Sequence, residues 1–445
     1  MTASSLSRGV RRSVAILVAV AFAAACASTN LPPIGSAADF RPEDDERRQW
    51  SAAQQAEEHI VPSATVYEEK NLQDYVDQVA ARLTPDSYLG ARGERVRVRV
   101  RKDPRLNASA LSHGTLVIYT GLVARAENEA QLAGVLAHEI AHVTHRHHVR
   151  EARAIQNRRT ATNVAGFLAI LGATAAAVDQ ANRGNYAAAN AIVRDAPPLL
   201  TLGLELSFAA MVSGYSRDLE READQEGMRL MAEAGYDPRG LAAMFRTMRD
   251  EAEKRGEIEA FFWGNQPRLS ERMETVERLA PQYPAKARPA IALGTDFDRR
   301  VQWVRVTNAQ YDAYLGRIAL ARVQISKAAG SVPGAVRPVA EEVFEGLMWG
   351  AAARGVRTRL NDERMANEVM GSAMKSLERA AALAPPRSPV LADVYRIKGV
   401  MIHDWWERGT KRCEAKRALE TYLDLRPNAP DRDAIRARID DLGWC

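Results

Sequence analysis

Hydrophobic residues in the first third of the chain follow a helical pattern and then an extended one. Between residues 46 and 83 apolar side chains recur at three- and four-residue spacing, which predicts two amphipathic helices. Valines alternate with arginines over residues 95–101, a period of two that predicts a strand with buried valines and solvated arginines. A second strand is predicted at Thr115–Tyr119, and an apolar helix is predicted from about Glu129 onwards.

Prolines at positions 281, 284 and 289 mark a boundary, beyond which the pattern is helical almost throughout. Five residues of one predicted helix recur 42 positions later: Ala373, Leu377, Glu378, Leu383 and Pro385 return as Ala415, Leu419, Glu420, Leu425 and Pro427. A helix that ends in Leu-x-Pro is similar to the second helix of a tetratricopeptide repeat, whose usual period is about 34 residues. The longer spacing implies an insertion, and a helical bundle without a repeat is the alternative.

The N-terminus has the pattern of an export signal. Arg8, Arg11 and Arg12 precede an uncharged run over residues 14–25, which is too short to span a bilayer because a spanning helix needs roughly 20 residues. Small residues then lead to Cys26, which resembles a bacterial lipoprotein box whose cysteine is lipidated after cleavage. Plain cleavage at an AxA site is the alternative. We therefore predict a signal peptide at 1–25, a linker at 26–45, and an exported, periplasmic protein attached to the membrane as a lipoprotein.

Composition narrows the function classes. A chain of 445 residues with 46% hydrophobic and 26% charged residues predicts two to three folded domains and excludes overall disorder. Its 3 cysteines exclude a CxxC zinc ribbon, so a metal site must use His and carboxylate ligands. Cys413 and Cys445 could form a disulfide in an oxidising compartment. Without the three leader arginines the net charge falls from +5 to +2, which does not support a nucleic-acid partner.

One motif in the apolar helix carries the chemistry. His138-Glu139-x-x-His142 places two imidazoles four residues apart, so that both project from one helix face and can bind one Zn²⁺. Glu139 lies beside them, where it can take a proton from the attacking water instead of binding the metal. Apolar neighbours bury this helix, which would make unligated imidazoles costly to desolvate. The spacing therefore predicts a hydrolytic zinc site.

A catalytic zinc needs a third protein ligand, and the sequence offers two candidates. His148 follows His142 by six residues, as in the metzincin motif, but the glycine that this motif requires is replaced by His145. Glu220 is the better candidate, because it lies four residues before Asp224 on a second predicted helix. That helix face would offer one carboxylate to the metal and another to orient a histidine.

Several motifs together resemble the HtpX-like, BepA-like and CAAX prenyl endopeptidase family of zinc metallopeptidases. They are Asn107-Ala108, the segment 119–122, the segment 127–130, the helix motif at 136–143, and Ser216-Arg217 with Glu220-x-x-Ala223-Asp224. The resemblance implies an α+β fold: a mostly helical gluzincin domain with a small β-sheet at 46–285, then an all-α tetratricopeptide-like domain at 290–445. It implies one Zn²⁺ held by His138, His142 and Glu220, with Glu139 as catalytic base and Asp224 in support.

The chain departs from that family at one position. The family carries His-Pro followed by an Arg, whereas this chain has Gln266-Pro267 and retains Arg272. An amide can donate a hydrogen bond but cannot become an imidazolium or a strong zinc ligand. We predict that Arg272 stabilises the developing oxyanion, with Gln266 as a helper or gating residue.

These observations predict a zinc endopeptidase of the bacterial envelope that cleaves misfolded or unassembled envelope proteins. An extended substrate would pair with Thr115–Tyr119 as an edge strand. The helical domain of this protein would contact the outer-membrane assembly machinery. The Gln266 substitution favours an alternative, a chaperone or assembly factor with a latent or structural zinc site. Two apolar stretches, 164–178 and 199–212, are predicted as buried helices beside the active site, with membrane-surface contact as the alternative.

Overall fold

The computed structural model describes residues 28–36, 40–158, 215–254, 269–286, 297–406 and 411–444. The predicted signal peptide, Cys26, both apolar stretches, Gln266 and Cys445 lie outside these ranges. Within them, no helix is both long enough and apolar enough to cross a membrane.

The predicted N-terminal helices are confirmed as α1 (Asp44–Ile60) and α2 (Lys70–Leu83), followed by a short α3 (Asp86–Arg92). Helix α2 begins at Glu69, whose carboxylate accepts the backbone N–H groups of residues 71 and 72, and it buries an apolar stripe. That stripe packs against the sheet and the later helices in one large core.

A three-stranded sheet follows, formed by β1 (Arg97–Arg101), β2 (Ala108–Ala110) and β3 (Thr115–Tyr119), in the order β1-β3-β2. Both predicted strands are present. The predicted edge position of Thr115–Tyr119 is wrong, because β3 pairs in parallel with β1 and antiparallel with β2. All five β3 residues are buried, which explains why this strand reads as a continuous apolar run. The outer strand on one side is the short β2.

The rest of the chain up to residue 279, where the structure describes it, is mostly helical. The helices are α4 (Thr120–Arg125), α5 (Glu129–Thr144), a helical segment at 147–158, α6 (Arg217–Ala234), α7 (Arg239–Lys254) and α8 (Leu269–Leu279). The side chain of Asn128 caps α5 by accepting the N–H of Gln131. A Cβ on Gly227 would lie 3.2 Å from the backbone nitrogen of His138, so glycine there lets α6 approach α5 closely.

Residues 297–444, where the structure describes them, contain only helices as regular elements. These are α9 (Phe297–Arg300), α10 (Gln302–Tyr314), α11 (Ile318–Gly330), α12 (Arg337–Gly355), α13 (Glu363–Leu383), α14 (Pro389–Trp405), α15 (Arg412–Leu425) and α16 (Arg432–Leu442). The 42-residue pattern falls on α13 and α15, where Ala373, Leu377, Ala415 and Leu419 are all buried. The α+β class is therefore observed, and the tetratricopeptide-like arrangement stays a prediction.

Both ends of the first part are more integrated than the predicted boundaries imply. Leu31 and Ile34, in the predicted linker, are buried, and the backbone N–H of Ile34 donates to the carbonyl of Thr144 over 2.8 Å. Phe297 and Val304 belong to the same apolar core as the sheet. The linker residues that the structure describes thus pack on the domain, and the domain core extends past residue 290.

Candidate metal centre

The site is built on α5, which is buried on all sides. Leu136, Ala137, Ile140 and Ala141 have no exposed surface, so the imidazoles between them lie inside the core. One helical turn separates the two histidines, and their Nε2 atoms lie 3.0 Å apart. Both nitrogens can therefore reach a single ion.

The third group comes from α6, more than 70 residues later in the sequence. One carboxylate oxygen of Glu220 lies 3.4 Å from Nε2 of His138, and the other lies 3.4 Å from Nε2 of His142. Ligands held 2.0–2.1 Å from a tetrahedral zinc are roughly 3.3–3.4 Å apart, so these distances fit such an ion. Among the described residues these three side chains form the candidate metal-holding group, and His148 is not part of it.

Two buried charged side chains, Asp224 and Arg272, contact the candidate metal-holding residues. The Oδ1 atom of Asp224 lies 3.0 Å from Nδ1 of His138. Arg272 donates to both oxygens of Asp224 over 2.9 and 2.6 Å and lies 3.3 Å from Glu220, while its guanidinium stacks on the ring of Phe245. This contact fixes two carboxylates at once. It gives Arg272 a supporting position, and its predicted contact with an oxyanion stays a prediction.

Burial and charge give the two imidazoles opposite pKa shifts. Burial and Arg272 disfavour a charged His138, but its hydrogen bonds to Asp224 and Glu220 raise the pKa to about 9. Burial, reinforced by the charge of His138, holds the pKa of His142 well below its usual range. The two candidate ligands therefore lie in different electrostatic surroundings within one helical turn.

Glu139 is buried next to this group and faces the sheet. Burial raises the pKa of its carboxyl to about 7. The backbone of Ala110, in the outer strand β2, forms a hydrogen bond to the same carboxylate. A carboxylate that can gain and lose a proton near neutrality suits a general base.

Sequence reasoning missed a cluster of aromatic rings on the far side of His142. The sequence predicts a solvated continuation of the motif helix through His145, His147 and His148, and this prediction is wrong for His147, which is fully buried. Helix α5 ends at Thr144, and Nδ1 of His147 lies 2.9 Å from Nδ1 of His142. The histidine cluster at 145–148 was the available signal, but the helix break inside it has no sequence pattern.

Tyr215, just before α6, covers the other face of His142. The two rings are stacked with centroids 3.9 Å apart, and the Tyr215 hydroxyl contacts both ring nitrogens of His148. The metzincin-like candidate His148 thus contacts this tyrosine and lies outside the group formed by His138, His142 and Glu220. Cys413 is half-buried, and because Cys445 lies outside the described residues, the pairing of these two cysteines stays a prediction.

Comparison with known proteins agrees with this geometry. Residues 68–280 match the sequence profile described as Peptidase family M48. The chain is 28% identical over 268 residues to a putative beta-barrel assembly-enhancing protease of Vibrio cholerae, covering 55% of this chain and 49% of that protein. It is 30% identical over 147 residues to the beta-barrel assembly-enhancing protease of Escherichia coli strain K12, covering 33% of this chain and 27% of that protein.

A third relative comes from a eukaryote. The mitochondrial metalloendopeptidase OMA1 of Schizosaccharomyces pombe is 30% identical over 212 residues, which is 48% of this chain and 54% of that protein. In each of these relatives the matched region is about half of the protein's length or less.

Proposed function

We propose that this chain, whose residues 68–280 match the profile of peptidase family M48, is a zinc-dependent endopeptidase that cleaves misfolded or unassembled envelope proteins. The observation that carries the proposal is the meeting of His138, His142 and Glu220 at ligand spacing inside a buried core. Glu139 lies directly beside this group.

Zinc is the metal that these donors favour. Two imidazoles and one carboxylate make a neutral or singly charged ligand set of the kind found at catalytic zinc sites, which keep a fourth position for water or substrate. Asp224 orients His138 through Nδ1, and Arg272 keeps the carboxylate of Asp224 in place. One zinc per chain is expected.

The role proposed for each group in catalysis follows from its position. The bound ion would polarise the scissile carbonyl and make water a better nucleophile near neutral pH. Glu139 takes a proton from the attacking water and returns it to the leaving amine. Arg272 holds the carboxylates of Glu220 and Asp224 in place. With Gln266, it is proposed to stabilise the negative charge that develops in the transition state.

We place the peptide substrate along β2 instead of β3. Strand β2 is bonded to β3 on one side, and the backbone of Ala110 reaches Glu139 on the other. An extended peptide added to this outer strand would pass the catalytic carboxylate. Recognition through backbone hydrogen bonds would select for exposed, unfolded chain more than for sequence.

Location and partners rest on the leader and on the named relatives. The pattern of residues 1–25 and Cys26 supports export to the periplasm and attachment by a lipid anchor. The names of two relatives refer to beta-barrel assembly, which supports outer-membrane proteins as substrates and their assembly machinery as a partner of the tetratricopeptide-like helical part. No nucleic-acid role is proposed.

The substitution of Gln266 favours a second candidate, a chaperone or assembly factor whose zinc site is latent or structural. Deleting the chain from residue 290 would not separate the two, because Phe297 and Val304 belong to the domain core. Glu139→Gln separates them, since it removes the base while keeping the side chain's size.

The test is degradation of an unfolded outer-membrane protein by the wild type and by Glu139→Gln, with zinc measured in both. Glu127→Gln is the matched control, because Glu127 is an exposed carboxylate that pairs with Lys327 at 3.4 Å, away from the metal group. We expect the control to cleave normally and Glu139→Gln to keep zinc but lose cleavage. Undiminished cleavage by a zinc-loaded Glu139→Gln would rule out this mechanism.

A further inference from the structure

The two ligand imidazoles are supported by different chemistry. Nδ1 of His138 faces a carboxylate, that of Asp224, at 3.0 Å. Nδ1 of His142 faces a second imidazole, with Nδ1 of His147 at 2.9 Å. The His147 ring is fully buried, so this contact takes place away from solvent.

We propose that His147 is a positioning residue that accepts a hydrogen bond from His142, and that Glu222 completes the arrangement behind it. This inference rests on the proposed metal site. If His142 binds the ion through Nε2, its hydrogen must be on Nδ1. Two nitrogens 2.9 Å apart form a hydrogen bond when only one carries hydrogen, so Nδ1 of His147 must be the acceptor.

The tautomer of His147 then assigns a role to Glu222. With Nδ1 acting as acceptor, His147 carries its hydrogen on Nε2, a buried atom that makes no hydrogen bond in the structure. A carboxylate oxygen of Glu222 lies 3.7 Å from it, and Glu222 is itself held by Arg150 at 2.9 Å. A small rotation of Glu222 would close this distance to a hydrogen bond. Glu222 would then orient His142 indirectly, through His147, whereas Asp224 orients His138 by direct contact.

A break in the helix makes this contact available. In an unbroken α-helix a residue five positions after His142 is turned about 140° away from it. Arg146 has a φ of 57°, a left-handed conformation that is uncommon for residues other than glycine, and it lies in the break between the end of α5 at Thr144 and the helical segment that begins at His147. The helix is therefore interrupted, and the ring of His147 lies against His142.

The N-terminal helix holds that break in place. The buried guanidinium of Arg146 donates to both carboxylate oxygens of Glu46, in α1, over 3.0 and 2.6 Å. It also lies 5.5 Å from the centre of the Phe40 ring. A sparsely populated backbone conformation persists when its surroundings fix it, and this bidentate pair supplies that constraint.

The test uses two substitutions of similar size. His147→Asn keeps an acceptor near the position of Nδ1, whereas His147→Leu removes it. Loss of a partner that orients a ligand typically lowers metal affinity 10- to 100-fold. We expect His147→Leu to lose zinc to a chelator at least tenfold faster than the wild type and to alter the visible absorption spectrum of the Co²⁺-substituted protein. His147→Asn should lie close to the wild type in both measurements.

One control variant and one variant of Glu222 accompany this test. His145→Asn changes a neighbouring imidazole whose Nδ1 contacts the Thr144 hydroxyl, and it should leave both measurements unchanged. Glu222→Ala, at a half-exposed position that tolerates truncation, should speed zinc loss by up to about tenfold. Thermal unfolding of the metal-free proteins reports whether folding itself has changed.

The outcomes separate this inference from the proposed function. If wild-type protein retains zinc and His147→Leu retains it equally, with the same cobalt spectrum, then His147 does not position His142. If Leu and Asn weaken binding alike, the role is packing and the acceptor assignment is wrong. Should the wild type itself hold no zinc, the proposed metal site fails instead.

Discussion

The part of the chain before residue 315 buries many polar and charged side chains, whereas the part after it buries very few. Among the described residues beyond Tyr314, the buried polar side chains are only Gln324 and Ser376. The earlier part buries a whole set of ionisable groups around the metal centre: His138, Glu139, His142, His147, Glu220, Asp224 and Arg272.

This contrast locates the function. Removing a charge from water costs several kcal/mol unless it is paired, so a core gains nothing in stability from such groups compared with apolar packing. The helical part follows that rule, with two apolar clusters that hold its helices together. The earlier part departs from it in several places, such as the buried pair of Arg146 with Glu46, and in one of them the buried groups form a candidate metal-binding arrangement.

The two parts meet at another buried charge cluster. Asp312, in α10, accepts from Arg125 of α4 over 2.6 Å, contacts Arg317 at 2.8 Å and accepts from Asn308 over 3.2 Å. Arg125 also pairs with Glu251 of α7. This cluster lies away from the metal group and joins elements from both parts, so its role is structural.

Removing Asp224 should have the largest effect, because it disturbs a buried charge pair and the proposed metal ligand His138 together. Asp224→Ala leaves part of the Arg272 guanidinium without its partner, which should lower the free energy of unfolding by about 3–5 kcal/mol. It should also weaken zinc binding about 10- to 100-fold. Chemical denaturation and chelator competition measure the two effects.

The matched control for this change is Asp218→Ala on the same helix. The side chain of Asp218 is 92% exposed, and its pair with Arg221 should contribute little. If Asp224→Ala bound zinc as tightly as this control, Asp224 would not orient His138.

Removing Asp312 sharpens the comparison, since it is also a buried, arginine-paired carboxylate. Asp312→Ala leaves Arg125 and Arg317 short of a partner and should lower the free energy of unfolding by about 3–5 kcal/mol. Zinc affinity measured in the folded protein should stay unchanged. A large loss of zinc affinity in this variant would mean that the junction and the metal centre are coupled, contrary to the division described above.

In the helical part the large effects should come from apolar packing. Leu377 is fully buried in α13, so Leu377→Ala should cost about 2–5 kcal/mol of unfolding free energy without affecting zinc. Leu383 lies on the same helix and is 52% exposed, so Leu383→Ala should change stability by no more than about 0.5 kcal/mol. Equal losses in the two variants, measured by denaturation, would contradict the packing that the structure describes.

Surface charges of the helical part should have the smallest effect. Arg379 donates to Glu342 over 2.8 Å, but the Arg379 side chain is 56% exposed and screened by solvent. Arg379→Ala should lower stability by about 0–1 kcal/mol, and less at high salt. A loss as large as that of Asp312→Ala would show that exposure does not separate these ion pairs.

The sequence predicted those features that depend on local spacing. The pair His138 and His142 is readable because four residues make one helical turn, and both long strands are readable from their patterns. Strand β2 has only three residues, too few for a pattern, and the edge position assigned to β3 failed because strand order is set by tertiary pairing.

Features that depend on distant partners could not be predicted in this way. Glu220 could be predicted as the third ligand only from its spacing to Asp224 on a second helix and from a family resemblance, because α5 and α6 are far apart in sequence. The burial of His147 depends on the backbone of Arg146, which is held by Glu46, a residue 100 positions earlier. No window of sequence around the histidines contains that contact.

The central claim is that His138, His142 and Glu220 hold one zinc ion, and X-ray absorption at the zinc edge tests it most directly. For the wild type we expect one zinc per chain, with two imidazole nitrogens near 2.0–2.1 Å and oxygen for the remaining ligands. Glu220→Ala should weaken binding strongly and lose one oxygen ligand from whatever zinc is retained. A wild-type protein without bound zinc, or a zinc environment unchanged by Glu220→Ala, would contradict the account.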